Sequence, residues 1–551
     1  MKRIPATLWL LTALVTTATG VLGCKGPPPT NPGVIAREPN ELLWGDTHVH
    51  TSYSADLLHT RSADPNTAYN WAKGLPVVHP DTQARVQLGR PLDFLIVTDR
   101  AEGLDDTKWN GVIEAAERHY APCIFTTFIG WEWASEPDGR SLHRVVFMNE
   151  GPKTARQLVP FSARDSQRPE DLWGWLEETS NRVETDFIAI PHNPNLSGGM
   201  MFAAVDSDGV PITAAYARTR MRWEPVAEVT QIKGDSETHP TLSPDDEFAD
   251  FETFPPGDTD VSEGDYARAA LLRGLEIGRA IGSNPFELGM IGSSGSRTGL
   301  SSADEDHFWG APSSQSAEGE SPAAGTTGLG DSDLSAQGLT AVWAEENTRT
   351  SIFEAFKRKE VYATTGPRIR VRFFGGWGFD AKQSRTADMV NVGYTFGYPM
   401  GSDLKKAPKG KAPKFLMYAV KDPEGANLDR IQLVKGWVDA DGNAHEKVYD
   451  VAWSAGRTRN ADGTLPAVDS SVDLATAKYE DLWGASALHG FWSDPEFDPE
   501  QPAFYYLRVL QVPTPRHSLY DAVARGVDPD ETGRPPTIQE RAYTSPIWYT
   551  P

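Results

Sequence analysis

From about residue 40 to residue 300 the chain alternates short apolar runs with helix-spaced stretches, and no other feature restricts its fold as much. "PLDFLIVTD", "CIFTTFIGWEW", "HRVVFMN", "DFIAIPH", "VAEVTQI" and "LGMIGSS" are compact apolar runs bounded by polar or turn residues, the pattern of buried strands. Between them "DTKWNGVIEAAERHY", "PEDLWGWLEETSNRV" and "GDYARAALLRGLEIGRAI" carry helical spacing. Strand and helix in alternation predict an α/β fold built on a parallel sheet or barrel. Several runs end in His, Asp, Glu or Ser, which suits a barrel whose chemistry lies at the C-terminal strand ends. "NTRTSIFEAFKRKEVYATTG" predicts a helix running into a strand that closes this first domain near residue 366. From 367 to 551 the runs "FLMYAVKD", "RIQLVKGWVDADGNAHEKVYDVAW" and "AFYYLRVLQV" predict an antiparallel β-rich domain with little helix.

Two stretches stand apart. Residues 235–265 hold eleven Asp or Glu and no Lys or Arg, which reads as a solvated loop or, as the alternative, a calcium site. Residues 301–336, rich in Ser, Gly, Ala and acid, read as a mobile insertion. The formal net charge of −24 excludes binding to nucleic acid through its phosphates, which needs a basic surface. A mean hydropathy of −0.44 argues against a polytopic membrane protein.

The stretch "DTHVHTSYSAD" begins the chemistry. His48 and His50 alternate along a strand, so both face one side about 7 Å apart and can converge on one ion. Other strand ends supply Asp99, Glu132, His143 and His192. Burying a charge or an unpaired imidazole is costly, and a shared divalent ion satisfies both. His48, His50, Glu132, His143 and His192 have the composition of a site for one or two ions of zinc, manganese or iron, with the glutamate able to bridge. The alternative is a set of unrelated core histidines. Asp46 reads as orienting an imidazole, and Glu228, Glu237 and His239 as lining the pocket or as loop polars. His59, His79, His119, His307, His445, His489 and His517 lack convergent partners and read as structural.

In this order "WGDTHVHTSYSAD", "FLIVTD", "GWEW", "IPHN" and "GMIGSS" resemble the polymerase-and-histidinol-phosphatase (PHP) superfamily. They are closest to a large bacterial domain-of-unknown-function branch of it, whose later hallmarks "LVKGW", "FWSDPEFDPE", "YYLRVLQVPTPR" and "QERAYTSPIWY" also look present. The resemblance implies a distorted seven-stranded β/α barrel over 40–366, up to three metal ions and hydrolysis of phosphate esters. It implies that His48, His50 and Glu132 hold a first metal, that Glu132, His143 and His192 hold a second, and that Asp56 matches the first ligand of a third.

The chain departs from that pattern at two motifs. Arg100 stands where the family has a histidine, and "GSR" replaces Asp-x-His, with Gly295 and Arg297 at the ligand positions. A guanidinium keeps its proton and cannot ligate a cation. Arg100 and Arg297 together carry the charge of one divalent ion and could clamp a phosphate, sulfate or carboxylate with Asp56 beside them. Alternatively the site has decayed and the arginines simply pair with Asp56, Asp99 or Glu132. On the first reading Asp99, Arg100 and Arg297 act in catalysis on a small anionic substrate.

The N-terminus sets location. Lys2 and Arg3 precede the apolar run "LWLLTALVTTATGVLG", the form of a secretion signal over residues 1–23. "VLGC" resembles the bacterial lipobox and implies cleavage before Cys24 and lipidation of its thiol, with residues 24–39 as a stiff Pro- and Gly-rich tether. The expectation is a protein of the cell envelope, held on a membrane by its lipid and facing the periplasm or exterior.

Overall fold

The computed structural model describes residues 39–57, 61–80, 82–255, 257, 260–309, 331–404, 406–461 and 463–551. The signal, Cys24, most of the tether, His59 and residues 310–330 of the insertion lie outside the described residues. Each apolar run of the first half forms a strand: β1 (Glu41–Val49), β2 (Phe94–Val97), β3 (Thr126–Trp133), β4 (Arg144–Met148), β5 (Phe187–Pro191), β6 (Val226–Gln231), β7 (Gly289–Gly292), β8 (Leu339–Ala344) and β9 (Val361–Thr364). The intervening periodic stretches form α1 (Asp106–His119), α2 (Pro169–Val183), α3 (Ala267–Ile281) and α4 (Arg349–Lys357). Asp105 caps α1 by accepting from Lys108 N, and α3 ends where Gly282 takes the left-handed conformation.

The hydrogen-bonded ladders show a large mixed sheet and do not by themselves draw the expected distorted seven-stranded barrel. β1, β2 and β3 are parallel, β4 and β5 continue antiparallel, and β8 and β9 run antiparallel on the other side of β1. β6 and β7 pair parallel in a separate small sheet. A shared interior nonetheless exists. One apolar cluster takes Leu43, Phe94, Ile96, Phe128, Val145, Phe147, Ile188, Ile190, Val226, Ile291 and Val342, so every strand from β1 to β8 contributes. α4 adds Ile352, Phe353 and Phe356 to the same cluster. Leu95, Val97, Ile129 and Trp131, the alternate residues of β2 and β3, enter a second core on the opposite face. Burial on both faces explains why these runs read as continuously apolar rather than alternating.

The second half is β-rich, with β10 (Arg370–Gly376), β11 (Lys414–Val420), β12 (Leu428–Val438), β13 (Ala444–Trp453), β14 (Ala487–Ser493), β15 (Ala503–Gln511), β16 (Arg541–Thr544) and β17 (Ile547–Tyr549). The main sheet runs through residue 367: β9 pairs with β16 and β16 with β15, giving 13 strands in one mixed sheet. Helices at Met389–Phe396 and His517–Arg525 interrupt the β pattern.

Within residues 235–265, Glu237, Asp246, Glu247 and Glu252 are held in ion pairs rather than left to solvent alone. Arg268 reaches both Glu237 (2.5 Å) and Asp246 (2.8 Å), and Arg508 on β15 reaches the same two at 3.3 and 2.5 Å. Arg430 on β12 pairs with Glu247 (2.7 Å), and Arg516 with Glu252 (2.8 Å). Guanidinium groups therefore neutralise this acidic stretch, three of them from the second half, and its lack of local cations is what leaves it free to receive them. The insertion's flanks are packed as well: Ser301, Ser302, Ala303, Leu334 and Ala336 are buried.

Candidate metal centre

The C-terminal ends of β1, β2, β3, β5, β6 and β7 and the N-terminal end of the antiparallel β4 meet at one edge of the shared interior. β1 is fixed there by Asp46, whose Oδ1 accepts from His48 N (3.0 Å) and from Ser294 N (3.1 Å) just beyond β7. Asp46 therefore pins backbone and orients no imidazole. Glu228 on β6 orients one instead, with Oε2 3.1 Å from His48 Nδ1. The turned-in His48 and His50 bring their Nε2 atoms to 3.1 Å, as strand alternation predicts. Two facing imidazole nitrogens can share one proton or direct both lone pairs at one ion.

Glu132, at the end of β3, is the hub. Its Oε1 lies 2.9 Å from both His143 Nδ1 and His192 Nε2, and its Oε2 lies 3.5 Å from His50 Nε2 and accepts from Arg100 Nε at 3.1 Å. Burial pushes this carboxyl up, but the His50, His143 and Arg100 charges outweigh burial and hold it well below the usual range. His192 is pushed well below its ordinary value by burial and by neighbouring His48, and its Nδ1 is buried without a hydrogen-bond partner. His50 is also pushed down by burial, whereas the Glu228 charge lifts His48 against it.

These donors fit a divalent ion. Ligand atoms around zinc at 2.0–2.2 Å stand roughly 3–3.5 Å from one another, the spacing found between the imidazole nitrogens and the Glu132 oxygens. His48, Glu132 and His192 each offer an atom within 4.8 Å of the others, all buried. The five ligands read from the sequence are thus brought together.

The remaining predicted residues divide. Arg100 and Arg297 meet at Asp56, whose Oδ2 lies 3.0 Å from Arg297 Nη2 and 3.8 Å from Arg100 Nε. Burial raises the Asp56 carboxyl, and His50 with the two arginines outweighs that and holds it well below its ordinary value. Asp99 does not join them. Both its oxygens are taken by Thr51, from N at 2.5 Å and Oγ1 at 2.8 Å, and burial lifts it to about 7. It holds the turn after β1, away from the pairing of Arg100 and Arg297 with Asp56. Glu237 and His239 lie off the site, Glu237 among the buried arginines and His239 against Tyr266.

Three residues escaped the sequence reading. Glu136, four positions after Glu132, accepts from His143 Nε2 at 3.2 Å and from Arg100 Nη2 at 3.2 Å, and those two partners hold it down to about 2. Gln231 fills the space beside Gly295, donating to Asn193 Oδ1. A Cβ on Gly295 would stand 2.3 Å from Gln231 Oε1, and its φ of +59° already disfavours a side chain, so an amide occupies the place of the missing aspartate. Lys233 sits two residues further on, and burial, with the Arg297 and Arg100 charges, pushes its ammonium down to about 8. Only Glu136 carried a sequence signal, its spacing from Glu132.

No curated protein sequence matches the chain. Among solved structures it is similar to the crystal structure of a two-domain protein containing a predicted PHP-like metal-dependent phosphoesterase from Bacteroides vulgatus ATCC 8482, with 11% identity over 76% of this chain and 87% of that one. The TM-score is 0.31, too low for that likeness to bear on the site. The family model described as "Protein of unknown function (DUF3604)" matches residues 37–107 and 102–551, and the chain belongs to this family.

Proposed function

We propose that the protein is a metal-dependent hydrolase of the PHP type, acting on a phosphate or related anionic ester at the centre around Glu132. The observation that carries this reading is the convergence of three imidazoles on the two oxygens of one buried carboxylate, with His48 against His50 and two arginines alongside. His48, His50, Glu132, His143 and His192 would hold one or two ions of zinc, manganese or iron, as the donor set favours. An ion there polarises a bound ester and lowers the pKa of a water nucleophile. Glu228 orients His48, and Glu136 does the same for His143. Arg100 and Arg297 donate to the anionic group and stabilise charge that develops on it.

One observation favours a second reading, a non-catalytic protein that binds an anion or a partner. Arg100 already occupies Glu132 Oε2, and Gln231 stands where the family pattern has a carboxylate. Elemental mass spectrometry of the chain from Lys25 onward, in wild type and His48→Ala, separates the two. One or two equivalents of transition metal, lost in the variant, together with turnover of a phosphate or sulfate ester, support the hydrolase. No metal in either after reconstitution refutes it.

The envelope location is part of the same proposal and rests on the signal and "VLGC". Among the described residues no helix is long and apolar enough to cross a membrane. The mass of the mature N-terminal peptide tests the anchor directly.

A further inference from the structure

The turn after β6 carries a cation that the hydrolase reading does not use. Thr230 pairs with Asp235 and Gln231 with Gly234, so Ile232 and Lys233 form a two-residue hairpin turn at the strand's C-terminal end. That turn is rigidly set. Ile232 N donates to Ser294 O (3.1 Å), Lys233 N to Gln231 Oε1 (3.2 Å), and Lys233 O accepts from Asn195 Nδ2 (3.0 Å). Gly234, at φ +86°, packs so closely that a Cβ would stand 2.4 Å from Glu252 O. The lysine therefore projects from the edge at which the metal ligands and both arginines gather, within electrostatic reach of Arg100, Arg297, Asp56 and Glu132.

Its ammonium makes no hydrogen bond or ion pair among the described residues, and the residue is part-buried. The nearby carboxylates are engaged elsewhere: Asp56 by Arg297, His50 and Arg100, Glu132 by three imidazoles and Arg100, Glu136 by His143 and Arg100. Three cations around one edge, one of them unpaired, repel one another, and an anion that enters among them relieves that repulsion. We propose that Lys233 is the third cation of an oxyanion pocket and binds, with Arg100 and Arg297, the phosphoryl or sulfuryl group of the ligand. The inference deepens the hydrolase reading by naming what its pocket selects, yet it holds for a non-catalytic anion binder as well.

The test is calorimetric titration of inorganic phosphate and, separately, inorganic sulfate into the full chain as purified, for wild type, Lys233→Met and Lys233→Arg, with metal content measured on the same samples. A charge-assisted hydrogen bond lost to methionine weakens the tighter anion about tenfold or more, while arginine recovers most of the affinity and metal content stays at the wild-type level. Whichever anion binds wild type more tightly identifies the group. Equal affinity in wild type and Lys233→Met, or no binding of either anion by wild type, overturns the proposal. Absence of metal with anion binding intact refutes the hydrolase reading alone. Should Lys233→Met fail to fold, acetylation of wild type followed by peptide mass spectrometry serves instead. Saturating phosphate or sulfate slows modification of Lys233 and leaves exposed Lys382 unaffected, and an unchanged rate at Lys233 overturns the proposal.

Discussion

Arg100→Met is expected to move two affinities in opposite directions. The guanidinium donates from Nε to Glu132 Oε2 at 3.1 Å and from Nη2 to Glu136 Oε1 at 3.2 Å. Glu132 Oε2 is also the oxygen 3.5 Å from His50 Nε2, so Arg100 and an ion at the His48–His50 pair compete for the same lone pairs. A hydrogen bond to a charged group contributes about 1.5–3 kcal/mol net. Releasing that oxygen should therefore strengthen zinc binding by about ten- to a hundredfold. Methionine keeps most of the apolar stem, so the packing beside Ser54 and Glu132 is largely preserved. The same substitution deletes one leg of the anion clamp and should weaken inorganic phosphate by a similar factor. Zinc affinity is measured by competition with a chromophoric chelator, phosphate affinity by calorimetry. Zinc binding that falls or stays unchanged would refute the competition at Glu132, and unchanged phosphate binding would refute the clamp.

Two further outcomes follow from the geometry. Gly295→Asp restores the residue expected from the family pattern but should bring no extra metal and should cost about 1–3 kcal/mol of stability, because the left-handed backbone is strained by a side chain and Gln231 stands in the way; denaturation and elemental analysis check both, and gain of a metal equivalent refutes it. Glu252 ties the acidic stretch to the second half, and although burial raises its carboxyl, Arg516 outweighs burial and holds it down to about 2. A carboxylate with a depressed folded value stabilises above its unfolded pKa of about 4.5 and loses that contribution as pH falls towards 2. Denaturation midpoints of wild type should therefore drop faster than those of Glu252→Gln between pH 5 and 2, and parallel curves would sink the assignment.

The converging His and Glu residues were legible because each lies at the end of an apolar run, where a buried polar residue has few purposes. His48 and His50 needed only the two-residue period of a strand to share a face. The acidic stretch misled for an equally physical reason. Local composition records no cation near Asp246 or Glu252, since Arg508 and Arg516 arrive from more than 250 positions away. Asp99 and Asp46 likewise sit among motif residues, yet a backbone amide takes one oxygen of each.

The sequence by itself determined the strands and helices of the first half, the five converging His and Glu side chains and the two arginines beside them, because periodicity and residue chemistry are local. Only the tertiary structure decided that one sheet continues through both halves, that Glu228 and Glu136 brace the imidazoles and that Gln231 and Lys233 lie beside the site. Those outcomes depend on which distant backbone approaches which, and on the pairing that every buried charge must find when water is excluded.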